Sequence, residues 1–307
     1  MTTGSVNRAH LVERALEAMG ASPLPAPLGP PAPPAAERQP AEPAERPVYA
    51  PAARPLAEPR PAIPMAALRE AGLAFTVEAK ARSKFMEELA LVQHQLFRAL
   101  EPAVGEARAA ARRQIIMVTS ARRGEGKSFT SLNIAASMAS TTARPVLLVD
   151  VDGGASSLTA RLGLTAERGL MTLAREKDFS RELPLRPTAI ERLSFLPHGS
   201  ATVAEARAAN SDTLALAIRS LASALPRHVL VLDTPPALAT SDAQSLAAVA
   251  GQVVMVVQAE STQRDEVEAA LDLVDNCPLL QLLLNRTRLT TNDSFGAHGD
   301  YGATEHA

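Results

Sequence analysis

The sequence is short of the residues that mark secreted, membrane-spanning or metal-clustering proteins. One cysteine, Cys277, among 307 residues excludes an intramolecular disulfide and any site built from paired cysteine ligands. Tryptophan is absent, and the only tyrosines are Tyr49 and Tyr301. No run reaches the ~18 consecutive apolar residues of a membrane span. The longest candidate, Leu246–Val257, is shorter and holds Gln252. The amino terminus carries Arg8, Glu13, Arg14 and Glu17 where a secretory signal needs an unbroken apolar stretch. An excess of charge is missing too. A net charge of −2 and a pI near 6.3 leave no strongly basic face for nucleic acid. The six histidines are scattered, with no ligand spacing to acids or to Cys277. These absences predict a cytoplasmic protein with no nucleic-acid partner and no membrane span of its own.

What is present divides the chain into five parts. Over 1–20, Val6, Leu11, Val12, Ala15, Leu16 and Met19 share one helical face, and Gly20 follows as a stop. The second part, 21–64, holds fifteen of the 24 prolines, between Pro23 and Pro64. It cannot bury enough apolar surface to order itself and reads as a disordered, semi-rigid tether. Residues 65–113 read as a helical lead-in packed on the core, with Phe85, Leu89, Val92, Leu96 and Leu100 at helical spacing. The fourth part, 114–290, reads as one continuous folded core, and the fifth, 291–307, as a flexible tail.

Within 114–290 the apolar runs 115–120, 146–151, 193–197, 228–233, 252–258 and 279–285 are continuous rather than alternating, as in strands buried on both faces. Helical stretches separate them, clearest at 127–140, 211–225, 241–250 and 263–275. Strands alternating with helices predict an α/β fold, a mostly parallel sheet with helices on both faces. Ligands of such sheets bind at the carboxyl ends of the strands.

The first strand runs into Gly124-Glu125-Gly126-Lys127-Ser128, then Phe129. This is the end of the phosphate-loop pattern, with Ala121 in place of its first glycine. Glycines let the backbone curl so that successive N–H groups face phosphate oxygens, and the next helix turns its positive end to the same anion. Lys127 is placed to reach the β- and γ-phosphates, and the Ser128 hydroxyl to ligate Mg²⁺. Arg122 and Arg123, in the same loop, either lend charge to the phosphates or face solvent. Two further strands end in acids, Asp150-Val151-Asp152 and Asp233-Thr234-Pro235-Pro236. Carboxylates at such positions are costly unless they bind something. Asp233 takes the metal-holding place of a nucleotide hydrolase. Of Asp150 and Asp152, one suits a water-mediated metal contact and the other a general base.

The order Gly-Glu-Gly-Lys-Ser, LLVDVD, LVLDTPPALATSDA resembles the bacterial tyrosine autokinases (BY-kinases) of exopolysaccharide synthesis, over about residues 80–290. The stretches Phe195–Ser200 and Gly251–Gln263, with the short helix and Pro-rich linker, resemble the branch associated with exosortase-type polysaccharide loci. The resemblance implies a P-loop NTPase-like domain that binds ATP with Mg²⁺ and passes the γ-phosphoryl to tyrosine in the tail of a neighbouring copy. Lys127 would stabilise the transferring group, with Ser128, Asp150 and Asp233 at the metal and Asp150 and Asp152 supplying metal contact and base. Gly124 through Phe129, with Asn285 and Arg286 near the base, would hold the nucleotide. A membrane co-polymerase resembling chain-length determinants would activate the kinase through its cytoplasmic tail and recruit it to the inner membrane face.

The chain departs from that family in three places. Its tail has one tyrosine, Tyr301, as acceptor. Gly153-Gly154 stand where relatives have an apolar residue and an arginine. The helix stretch Glu88–His94 lacks both arginines of the family's ring-forming Glu-x-x-Arg-x-x-Arg motif, so a ring of that kind is not expected, while a homo-oligomer of another kind stays open. Two other readings remain open at this point. One is a nucleotide-gated regulatory subunit of the co-polymerase. The other is a partition-type positioning ATPase, whose signature lysine would be replaced by Arg122.

Overall fold

Seven strands form one sheet in the order β3-β4-β2-β5-β1-β6-β7. They are β1 (Ile115–Ser120), β2 (Val146–Asp150), β3 (Arg186–Pro187), β4 (Leu193–Leu196), β5 (Val229–Asp233), β6 (Gln252–Gln258) and β7 (Leu280–Asn285). The computed structural model describes residues 60–76, 83–100, 110–177, 179, 182–199 and 211–287, all in the unit 56–307. The helix expected over 1–20, most of the Pro-rich stretch, Tyr49 and the tail with Tyr301 lie outside the described residues. Every neighbouring pair of strands is parallel except β3–β4.

Helices cover both faces, as the continuous apolar runs predict. On β1, Ile115 and Met117 join one core cluster and Ile116 and Val118 the other. Residues of β2, β5 and β6 alternate in the same way: Leu147, Leu230 and Val253 go to one side, and Leu148, Val231 and Val254 to the other. Successive side chains of a strand point to opposite faces, so a strand between two helical layers must be apolar throughout. The first cluster packs under Ser211–Ala224 and Asp242–Val249, the second under Lys127–Thr141 and Lys84–Leu100.

Three expectations change. The run 279–285 is not covered on both faces: β7 is an edge strand, with Leu283 packed and Leu282 and Leu284 exposed at 59% and 64%. The described helices of the lead-in are Met65–Glu70, Lys84–Leu100 and Ala110–Arg113, and residues 71–76 after the first are not helical. The stretch read as tether up to 64 is packed at its end, where Ile63 is buried, bridges Thr188 and exchanges backbone hydrogen bonds with Pro187 and Ala189. Strand β3 carries no apolar signal because it is two residues long and contains Pro187, which an edge position tolerates. Among the described residues no helix is long and apolar enough to cross a membrane.

Candidate active site

The phosphate loop joins β1 to a helix starting at Lys127, here the P-loop helix (Lys127–Thr141). Gly126 caps that helix at φ 101°, in the left-handed region that favours glycine. A Cβ at Gly126 would also lie 2.1 Å from Asn285 Nδ2, whose amide donates to the Glu125 carbonyl at 2.8 Å. Thus Asn285, the last residue of β7, fits into the curl of the loop. Gly126→Ala is expected to lower ATP affinity at least tenfold while the far-ultraviolet circular dichroism stays native, which titration calorimetry and the spectrum together check. The combined backbone and steric strain is on the order of 1–3 kcal/mol.

Glu125, expected among the nucleotide-binding residues, is buried and turned away from the cavity. One carboxylate oxygen accepts from the Arg122 amide at 2.8 Å, and the other accepts from the Thr262 hydroxyl. It braces the loop against the turn after β6, and only its backbone is left to face a phosphate. Arg122 is off the cavity wall and largely exposed to solvent, its Nε paired with Glu266 at 2.9 Å.

The three acids meet at the carboxyl ends of β2 and β5, where Asp150 and Asp233 are register partners. Both oxygens of Asp150 are occupied. Oδ1 accepts from the amides of Asp152 (3.1 Å) and Gly153 (3.3 Å), and Oδ2 from Thr159 (2.6 Å). Asp150 therefore folds the loop that carries Asp152, with each of its oxygens already accepting from the backbone. Asp152 holds Lys127 Nζ at 2.7 Å, with the two side chains 16% and 12% exposed. Asp233 is as fully buried as Asp150, but neither of its oxygens accepts a hydrogen bond. Burial, then the Asp150 charge, push its carboxyl up to about 7; Lys127 and the nearby Ser128 hydroxyl pull the other way.

Gly153 explains one departure from the sequence pattern. It sits at φ 59°, and a Cβ there would lie 2.4 Å from His198 Nε2. The imidazole occupies the space that a side chain at 153 would need, and its Nδ1 is buried without a partner.

A cavity of about 220 Å³ opens over the loop, walled by Gly124, Gly126, Lys127, Ser128, Phe129, Ser156, Arg161 and Arg286. Beside it a groove of about 330 Å³ runs between the helix Lys84–Leu100 and β7, sharing Phe129 and Arg286 and adding Phe85 and Asn285. The Phe85 and Phe129 rings meet at 5.6 Å. The structure thus gathers Gly124, Gly126, Lys127, Ser128, Phe129 and Arg286 around one cavity, with Asn285 on the adjoining groove and Asp152 joined to the cavity wall through Lys127. Sequence reasoning did not find Ser156, Arg161, Thr262 or Asn133. Asn133, on the P-loop helix, is buried and spends its amide on four backbone groups: those of Ala74 and Phe75, which donate to it, and Gly72 and Phe129, which accept. It latches the lead-in segment onto that helix. A buried amide in TSLNIA is its one sequence signal.

No protein-family model matches the chain. It is 29% identical over 187 residues to the tyrosine-protein kinase YwqD of Bacillus subtilis, covering 60% of this chain and 77% of that protein. It is 29% identical over 196 residues to the tyrosine-protein kinase CpsD of Streptococcus agalactiae, covering 62% and 80%. Among solved structures, the chimerical protein CapA2B2 matches with a TM-score of 0.54 and 26% identity, over 69% of this chain and 88% of that one. The kinase domain of the Escherichia coli tyrosine kinase ETK matches with a TM-score of 0.51 and 20% identity, over 71% and 80%, a likeness of fold. The curated relatives of this chain are bacterial tyrosine-protein kinases.

Proposed function

We propose that the chain is an ATP-dependent protein-tyrosine autokinase of exopolysaccharide synthesis and export. The observation that carries the reading is Asp233, a buried carboxylate with no hydrogen-bond partner beside the Ser128 hydroxyl and Lys127. Such a group is costly unless a cation completes it. Among the described residues no cluster of three or more His, Cys, Asp or Glu side chains offers a protein-built metal cage. One carboxylate and one hydroxyl suit Mg²⁺, a hard cation that keeps waters and shares its shell with phosphate oxygens. Ser128 and Asp233 would hold it directly and Asp150 through water. When bound, Mg²⁺ supplies positive charge against the β- and γ-phosphates.

The chain's own groups do the rest. Loop amides and Lys127 bind and orient the phosphates. Lys127 leaves Asp152 for the γ-phosphoryl, which frees the Asp152 carboxylate. A tyrosine hydroxyl gives its proton to Asp152 as its oxygen bonds to the γ-phosphorus, and the bond from that phosphorus to the β–γ bridging oxygen breaks. The products are ADP and phosphotyrosine, with Lys127 and the loop amides facing the charge that develops. Phe129, Asn285 and Arg286 border the path to the base.

Tyr301 is the proposed acceptor, reached in the site of a neighbouring copy. The proposed location is the cytoplasm, at the inner membrane face through a chain-length-determinant-like co-polymerase. The exosortase-associated branch rests on Phe195–Ser200, Gly251–Gln263 and the short helix with its Pro-rich linker. Mass spectrometry of the protein incubated with ATP and Mg²⁺ tests the reading, with and without the co-polymerase's cytoplasmic segment. A phosphate on Tyr301, absent from Lys127→Met, is the expected result. ATP binding without phosphotyrosine in either mixture would overturn it in favour of a nucleotide-gated regulatory subunit.

A further inference from the structure

Three cations border the phosphate cavity, and they are not equivalent. Lys127 is balanced by Asp152. Arg161, at the end of the short helix Leu158–Arg161, and Arg286, just past β7, make no ion pair among the described residues. Each is held instead by a neutral oxygen. Arg161 Nη1 donates to the Ala71 carbonyl at 2.9 Å, and Arg286 Nη1 to Gln258 Oε1 at 3.1 Å. A bond to a neutral acceptor fixes the direction of a guanidinium without cancelling its charge, and it leaves most of the fork's five donors free. The Ala71 carbonyl is itself well placed, because Asn133 latches the adjoining Gly72–Phe75 segment to the P-loop helix.

The two arginines bracket the cavity from different elements. Arg286 comes from the end of β7, where Asn285 meets Gly126. Arg161 and Ser156 come from the stretch that follows Asp152, the side on which the phosphoryl acceptor would be deprotonated. Two guanidiniums without an ion-pair partner among the described residues and the amides of a helix start present donors and positive charge to the cavity, complementary to a polyphosphate.

We propose that Arg161 is a phosphate-binding residue that grips the terminal phosphate of a nucleoside triphosphate and so makes the site prefer the triphosphate to the diphosphate. The inference rests on the nucleotide-binding reading of the cavity. Titration calorimetry of the full chain with ATP and with ADP, both in Mg²⁺, separates the two. Wild type is expected to bind ATP more tightly than ADP. Arg161→Gln is expected to lose at least tenfold for ATP and less than threefold for ADP, and Arg161→Lys to recover part of the ATP loss. Equal losses for both nucleotides would make Arg161 a purely structural tether of Ala71 and overturn the proposal. So would an unchanged ATP-to-ADP ratio in Arg161→Gln. A wild type that binds neither nucleotide would sink the nucleotide reading itself, and Arg161 with it.

Discussion

Asp233→Asn is expected to stabilise the metal-free protein at pH 8 while abolishing phosphoryl transfer. The carboxyl is fully buried and its pKa is raised from 3.8 to about 7, first by burial and then by Asp150. The native state therefore keeps a proton across a range in which the unfolded chain has released it. An acid whose folded pKa is raised contributes least cost below its unfolded pKa, and stability falls as the pH rises from about 4 to about 7. Above that window the whole cost is present, about 4 kcal/mol for three pKa units. Asparagine keeps the shape and carries no charge. Without metal, its variant should melt about 10 °C above wild type at pH 8, and the gap should close toward pH 4. With Mg²⁺ and ATP the order should reverse, because only the carboxylate is completed by a cation. Scanning calorimetry at the two pH values, with chelator and then with Mg²⁺-ATP, checks each step. A variant that melts below wild type at pH 8 in chelator would mean that Asp233 is satisfied in the resting protein.

That paradox, a residue that weakens the resting fold and is needed by the loaded one, was half legible in the sequence. An aspartate ending an apolar strand and followed by Thr-Pro-Pro announces a carboxylate at a sheet terminus. The continuous runs around it announced the parallel sheet, because a strand between two helical layers has no polar face to show. What the sequence could not announce is which of three neighbouring acids is left unsatisfied. That depends on the backbone amides of Asp152, Gly153 and Thr159 closing on Asp150, and on Lys127 closing on Asp152. The same limit hid Arg161 and Thr262. Each reaches the phosphate loop by tertiary return of the chain, not by spacing within a motif. Glu125 shows the complementary limit: it lies inside the motif, but its side chain faces Thr262 and the Arg122 amide. The edge strand β7 shows that an apolar run reports strand character and not coverage of both faces.

Asp152→Asn and Lys127→Met should separate binding from chemistry. In the resting site Lys127 Nζ lies 2.7 Å from Asp152 Oδ2, both largely shielded from water. A phosphate must compete with that carboxylate for the ammonium, so part of the affinity for ATP is spent on opening the pair. Replacing the carboxylate by an amide removes the competitor and the negative charge nearest the incoming phosphates. Asp152→Asn should therefore bind ATP several-fold more tightly than wild type. It should also transfer the phosphoryl group 10²–10⁴-fold more slowly, the usual contribution of a general base. Lys127→Met should lose on both counts, since the cation that meets the phosphates is gone and Asp152 is left without its partner. ATP titration alongside the initial rate of phosphotyrosine formation distinguishes the two variants. Retained transfer in Asp152→Asn would move the base elsewhere. Weakened ATP binding in the same variant would mean that Asp152 aligns Lys127 for the phosphates instead of withholding it. In the expected case the ion pair acts as a latch: it keeps lysine and base in mutual check until a triphosphate draws the lysine away, and only then is the carboxylate free to take the acceptor's proton.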